Sequence, residues 1–121
     1  IMTAHIINRN IDPEIPATLS PFYLKNILRG ELAFDGVIVS DDMQMGAITN
    51  YYGFSEAIIK SINAGCDIVV ISNNGDVYDE GVALKAREII FEAVKSGEIS
   101  RERIKESLER IKRLKEKFEI I

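Results

Sequence analysis

Three short runs rich in β-branched residues dominate what this chain can fold into: Ile1 to Ile7, Gly36 to Ser40 and Asp67 to Ser72. Each has the length of a buried strand, and they recur about one βα unit apart. Runs that stay apolar on both sides, instead of alternating with polar residues, belong to strands covered on both faces. That is the environment of a parallel sheet.

The intervening stretches carry helical spacing. Between the first two runs, Ser20 can cap a helix whose first position is Pro21, with Leu24, Ile27 and Leu28 on one face and Gly30 or Gly36 as its end. After the second run, Phe54-Ser55 reads as an apolar residue before a cap, followed by Ile58, Ile59 and Ile62, with Gly65 as the left-handed stop. A third helix starts around Asp79 or Glu80, turns Ala83, Ala86, Ile89, Ile90, Ala93 and Val94 inward and stops at Gly97. In the last, Ser100 is the cap and Ile99 can staple onto Ile104. Ile104, Leu108, Ile111 and Phe118 then form a stripe opposite a charged face of mixed sign.

Strand, helix, strand, helix, strand, helix and one extra helix is an α/β order that produces parallel strands with right-handed crossovers. Three strands alone close poorly. The pattern therefore predicts the C-terminal βα units of a TIM (β/α)8 barrel plus a C-terminal helix, with a small open three-layer domain as the rival. The longer loops, Asn8 to Leu19 and Asp41 to Tyr52, both follow strand C-termini, which is the catalytic rim of such a barrel.

Composition removes several classes. A net charge of −4 over 121 residues offers no basic footprint for nucleic acid. No run reaches the roughly 20 apolar residues that span a bilayer, and no leader pattern opens the chain, so no membrane partner is expected. One cysteine, Cys66, cannot pair internally and reads as a small buried thiol; a reducing, cytoplasmic setting is the expectation. One histidine and no carboxylate or cysteine cluster at ligand spacing argue against a metal site, and no organic cofactor is expected. The chain opens on Ile1 inside an apolar run, which reads as a piece of a longer protein.

Chemistry concentrates at strand ends. Asp41 and Asp42 follow Val37-Ile38-Val39, and adjacent residues on a strand point to opposite sides, so one carboxylate can face the barrel mouth while the other packs inward. The alternative is a turn-capping aspartate beside a solvated one. His5, near the end of the first run, can line a polar pocket or be satisfied by a backbone carbonyl. Met43 and Met45 can wall a sugar face or fill packing gaps. Asn73-Asn74-Gly75 can form a phosphate-binding loop or a plain turn.

Ile1-Met2-Thr3-Ala4-His5-Ile6, Pro16-Ala17-Thr18-Leu19-Ser20 and Gly36-Val37-Ile38-Val39-Ser40-Asp41-Asp42-Met43, in that order, closely resemble glycoside hydrolase family 3 β-N-acetylhexosaminidases, nearest to the bacterial cell-wall-recycling β-N-acetylglucosaminidases. The similarity continues through Met45-Gly46-Ala47-Ile48 and Asn63-Ala64-Gly65-Cys66-Asp67. The Ser-Asp-Asp form, where family 3 β-glucosidases usually carry Ser-Asp-Trp, favours the hexosaminidase branch.

The resemblance implies that residues 1–121 are part of the catalytic barrel domain. It also implies retaining hydrolysis of terminal β-linked N-acetylglucosamine, with Asp41 as nucleophile and His5, Asp42 and Met45 shaping the sugar pocket. An N-acetylglucosamine-containing saccharide or muropeptide is the implied substrate. The acid/base histidine and the sugar-binding Lys-His pair of such enzymes lie on segments upstream of the strand matched here, so these 121 residues alone are expected to be inactive. Two other readings stand beside this one: a non-catalytic half-barrel that self-associates through its open sheet edges, and a barrel that binds a phosphorylated metabolite at Asn73 to Gly75.

Overall fold

A computed structural model describes residues 1–74 and 78–120. Two parallel strands, β1 (Val39–Asp42) and β2 (Ile68–Val70), form the sheet. A π-helix (Phe22–Glu31) and the α-helices α1 (Gly46–Thr49), α2 (Phe54–Ala64), α3 (Val82–Ser96) and α4 (Arg101–Lys117) surround it. Parallel pairing with a helix between the strands is the α/β arrangement expected.

The first apolar run is less regular than its composition suggests. It lies along β1 through Val39 N–H to Ile1 O and Thr3 N–H to Val39 O, both 2.9 Å, but makes only one isolated bridge, Met2 to Val39. Ile6 and Ile7 stay exposed, so no strand covers Ile1 to Ile7. The second strand begins later than predicted and takes in both aspartates instead of ending before them.

The helix after Pro21 has the predicted start: Ser20 Oγ accepts from Tyr23 N–H at 3.4 Å and Ser20 O from Leu24 N–H at 3.2 Å. Its winding is a π-helix, a rare form that carries Gly30 within it and ends at Glu31. Gly36 instead lies against the Phe34 ring, where a Cβ would come within 2.5 Å of Cζ. Helix α2 starts one residue before the predicted cap, with Gly53 as N-cap and no side-chain cap from Ser55. It stops where expected, at Gly65 with φ 132°.

Ile58, Ile62, Ala86, Ala93 and Ile99 form one buried cluster that joins α2, α3 and the entry to α4. Burying each isoleucine contributes roughly 1.5–3 kcal/mol. Leu24, Ile38, Ala64 and Cys66 form another beneath the π-helix, and Leu19, Met43, Ile48 and Ala57 a third beside the rim. Burial pushes the Cys66 thiol up to about 12, which makes it the inert thiol its position suggests.

Helix α4 departs most from its pattern. Ser100 caps it through Arg103 N–H at 3.1 Å, and Ile99 is fully buried, both as expected. Ile104 packs against the core as expected and Ile111 is half-buried, but Leu108 and Phe118 are 61% and 60% exposed, and the residues of this helix that are buried outright are Arg103 and Ser107. The reason is electrostatic. The Asp67 side chain, fully buried just before β2, receives Arg103 at 2.7 Å, Arg29 at 2.8 Å, Arg110 at 3.2 Å and the Ser107 hydroxyl at 2.8 Å. It also accepts Ile38 N–H at 3.0 Å. A buried carboxylate is tolerated only when paired and fully hydrogen-bonded, so α4 turns its arginines inward instead of its leucine. Leu108 and Ile111 then line an open apolar groove with Val69, Ile71, Ala86 and Ile90. Ala83, predicted to be buried, is exposed on the same groove.

Candidate functional site at the strand C-termini

Asp41 and Asp42 sit at the C-terminal end of β1, where the register is irregular. Val39 pairs with Ile68 and Asp42 with Val70, so β1 spends one residue more than β2 over the same span. This bulge at the strand end re-aims side chains locally, as bulges beside active sites do. Ser40, fully buried, anchors it by accepting Val70 N–H at 2.8 Å, and Met43 N–H binds Val70 O at 3.0 Å.

The two carboxylates have different surroundings. Asp42 is saturated: Oδ1 accepts Gln44 N–H at 3.1 Å and Ser72 N–H at 3.0 Å, and Oδ2 accepts the Ser72 hydroxyl. Burial would raise its pKa, but the Ser72 and Gln44 hydrogen bonds outweigh that and hold it below the usual carboxylate value. Asp42 thus clamps the segment after β2 to the end of β1. Asp41 is partly buried, and its Oδ1 accepts Asp42 N–H at 2.8 Å. Among the described residues, no donor meets its other oxygen and no cation pairs with it.

His5 has both ring nitrogens engaged. Nε2 meets the Asp42 carbonyl at 2.8 Å and Nδ1 meets Thr18 Oγ1 at 3.0 Å. This is the carbonyl-satisfied arrangement, and it ties the first run to the strand that carries the aspartates. Thr18 arrives there because the loop from Asn8 doubles back. Ala17 N–H binds Ile6 O at 2.9 Å, and a 3-10 turn, Ala17–Leu19, presents the fully buried Thr18 side chain to Thr3 and His5. Neither threonine stood out in the sequence, because a lone threonine carries no chemical pattern. The signals were membership of the motifs that carry the resemblance and, for Thr3, its place two residues before His5 on the same side of an extended segment.

The methionines divide. Met43 is fully buried beside Leu19 and Ile48, whereas Met45 is 44% exposed at the start of α1 on the rim. The phosphate-loop alternative falls partly on Gly75, which lies outside the described residues. Asn73 uses its side chain to hold Asp79, donating to its carbonyl at 2.9 Å and accepting its N–H at 3.0 Å, which is how a turn is braced. Among the described residues no group of three His, Cys, Asp or Glu side chains could hold a metal ion.

The site is thus an α/β strand-end carboxylate pair, one member locked and the other with an oxygen that meets no donor among the described residues. The family described as "Glycosyl hydrolase family 3 N terminal domain" matches residues 1–114, and the chain belongs to this family. A beta-hexosaminidase of Nitrosomonas eutropha is 45% identical over 80 residues, 66% of this chain and 23% of that protein. One from Neisseria meningitidis serogroup C is 41% identical over 80 residues, 66% of this chain and 22% of that protein. The chain therefore spans less than a quarter of the length of these relatives. A glycoside hydrolase family 3 beta-N-acetylglucosaminidase from a Paenibacillus species superposes with a TM-score of 0.85 at 38% identity, over 95% of this chain and 21% of that structure. The beta-N-acetylglucosaminidase of Thermotoga maritima does so with a TM-score of 0.81 at 27% identity, over 93% of this chain and 24% of that structure.

Proposed function

We propose that these 121 residues supply the closing part of the catalytic barrel of a retaining β-N-acetylhexosaminidase, with Asp41 as its nucleophile. The observation that carries this reading is the asymmetry of the carboxylates: at a bulged strand end, Asp42 is consumed by Ser72 and Gln44 while one oxygen of Asp41 meets no donor among the described residues. A nucleophile needs that freedom. Its attack forms the bond from the carboxylate oxygen to the anomeric carbon as the leaving-group oxygen departs and takes a proton from an acid on another part of the protein. Water then cleaves the glycosyl ester and restores the carboxylate. A backbone held at a rigid strand end keeps the carboxylate at attack distance.

The relatives' printed names favour a terminal β-linked N-acetylglucosamine as the sugar. A muropeptide or chitooligosaccharide is the broader substrate class proposed. Barrel closure is supported by the apolar groove of about 490 Å³ beside the outer edge of β2, lined by Ile71, Ile90, Ile104, Leu108 and Ile111, which a further βα unit would cover. The same groove favours the second reading, self-association of this chain by itself. A monomer in size-exclusion chromatography with light scattering would count against that reading.

The test is release of p-nitrophenol from p-nitrophenyl N-acetyl-β-D-glucosaminide by three proteins: this chain, the longest native open reading frame containing it, and that longer protein carrying Asp41→Ala. The expected result is activity in the longer protein only, abolished by the substitution. Full activity in the variant would remove Asp41 from the nucleophile's role, and no activity of the longer protein on any β-hexosaminide would remove the enzymatic reading.

A further inference from the structure

We infer that Thr3, Thr18 and His5 form a one-directional hydrogen-bond relay that positions the backbone on both sides of Asp41, making the two threonines positioning residues for the reaction. The inference rests on the reading of Asp41 as nucleophile, and it adds residues whose only contribution is through that aspartate's main chain.

The direction follows from atom types. Asp42 O is a carbonyl and can only accept, so the 2.8 Å contact requires a proton on His5 Nε2. With one proton on the ring, Nδ1 is then an acceptor, and at 3.0 Å its donor is the Thr18 hydroxyl. Thr18 Oγ1, having given its proton away, accepts from Thr3 Oγ1 at 2.8 Å. Thr3 Oγ1 in turn accepts Asp41 N–H at 3.2 Å. Every hydroxyl both gives and receives, so the chain runs from Asp41 N–H through Thr3 and Thr18 to His5 and ends at Asp42 O. It has one polarity, and each bond polarises the next.

The relay brackets the Asp41-Asp42 dipeptide at its first N–H and its last carbonyl. Asp42 O also accepts Met45 N–H at 3.2 Å, while towards β2 Met43 N–H binds Val70 O and Ser72 binds the Asp42 carboxylate. The bulge interrupts the β1–β2 ladder between Val39 and the Asp42–Val70 pair, and the relay holds the interrupted stretch from the side of the first run. Two segments distant in sequence, the first run and the loop to Thr18, therefore fix one short stretch of main chain. Thr18 is fully buried, so its hydroxyl is reserved for this use.

Two measurements test the relay. In the longest native reading frame, Thr3→Val and Thr18→Val keep the side-chain shape and should lower kcat between about 10- and 100-fold, the scale expected for a displaced reacting group. KM should stay within about twofold, because the sugar loses no contact. Thr3→Ser and Thr18→Ser should restore kcat. Valine variants with wild-type kcat, or serine variants as impaired as the valines, would overturn the relay. The second readout needs no activity: the chain has one histidine, so its imidazole ¹⁵N spectrum is unambiguous. At neutral pH the proton should sit on Nε2, and Thr18→Val should shift the Nδ1 resonance toward that of an imidazole nitrogen with no donor. A wild-type proton on Nδ1 would overturn the relay. If the longer protein cleaves no β-hexosaminide, the nucleophile reading fails and the tautomer alone decides the hydrogen-bond chain.

Discussion

The two ends of the same small sheet treat an aspartate in opposite ways. At the N-terminal end of β2, Asp67 is fully buried, meets three arginines and accepts a backbone N–H and a hydroxyl. At the C-terminal end of β1, Asp41 is partly buried, accepts one backbone N–H and, among the described residues, meets no cation. A carboxylate whose charge is cancelled on all sides can hold elements together but has nothing left for a substrate. One whose second oxygen is free of protein donors adds little to stability and is available for chemistry. On the proposed reading, stability and reactivity are separated by the length of a strand, as on barrels whose C-terminal face carries catalysis.

The sharpest way to break this contrast is to exchange the consequences. Asp41→Ala should lower kcat of the longer protein by roughly three orders of magnitude or more. Its unfolding free energy from urea denaturation should stay within about 0.5 kcal/mol of wild type, since only one backbone hydrogen bond is lost. Asp67→Asn should do the reverse. Removing the charge takes from Arg29 its carboxylate partner and from Arg103 and Arg110 their buried one, leaving them Glu106 and Asp35 at the surface, and should cost about 3–5 kcal/mol in urea denaturation of the 121-residue chain.

The same node sets an acid limit. Burial would raise the Asp67 pKa, but the hydrogen bonds from Ile38 N–H, Arg103 and Ser107 outweigh it, so the folded value lies below the ordinary one. A depressed folded pKa contributes stability that is complete above the unfolded value of about 3.9 and is lost as pH falls through the folded value. The urea midpoint should therefore fall below about pH 4, and Asp67→Asn should flatten that limb.

Smaller effects refine the comparison. Gly65→Ala forces a side chain into φ 132° with its Cβ 3.2 Å from that of Leu24 and should cost about 1–3 kcal/mol, read as a lower Tm. Ser72→Ala should have the smallest effect. It frees one oxygen of Asp42 and should raise that carboxylate's titration midpoint in an NMR titration, with little change in Tm.

Much of this frame is legible in the residues. The strand around Val39, the stops at Gly65 and Gly97, the Ser100 cap and the strand-end aspartates all follow from local chemistry that spacing reveals. The Asp67 node is invisible that way, because Arg29 and Arg103 lie 38 and 36 residues from it in the chain. Missing it misassigns the inner face of α4, where Leu108 yields to Arg103 and Ser107. The π-helical winding after Pro21 also escapes a pattern search, since Leu24 and Leu28 fit an ordinary helix equally well. At the site, Asp41 is readable from the motif it shares with a family. Thr3 and Thr18 lie in the matched motifs as well, but the contact between them exists only once a doubled-back loop brings them together.

The central claim, that Asp41 is the carboxylate that bonds to the sugar, is tested most directly by trapping. The longest native reading frame would be incubated with a 5-fluoro-N-acetylglucosaminyl fluoride, whose slow second step lets the glycosyl ester accumulate, then digested and mapped by mass spectrometry. One added sugar is expected on the peptide containing Asp41 and none in Asp41→Ala. An adduct on Asp42 or on any other carboxylate, or turnover of the reagent by Asp41→Ala at the wild-type rate, would contradict it.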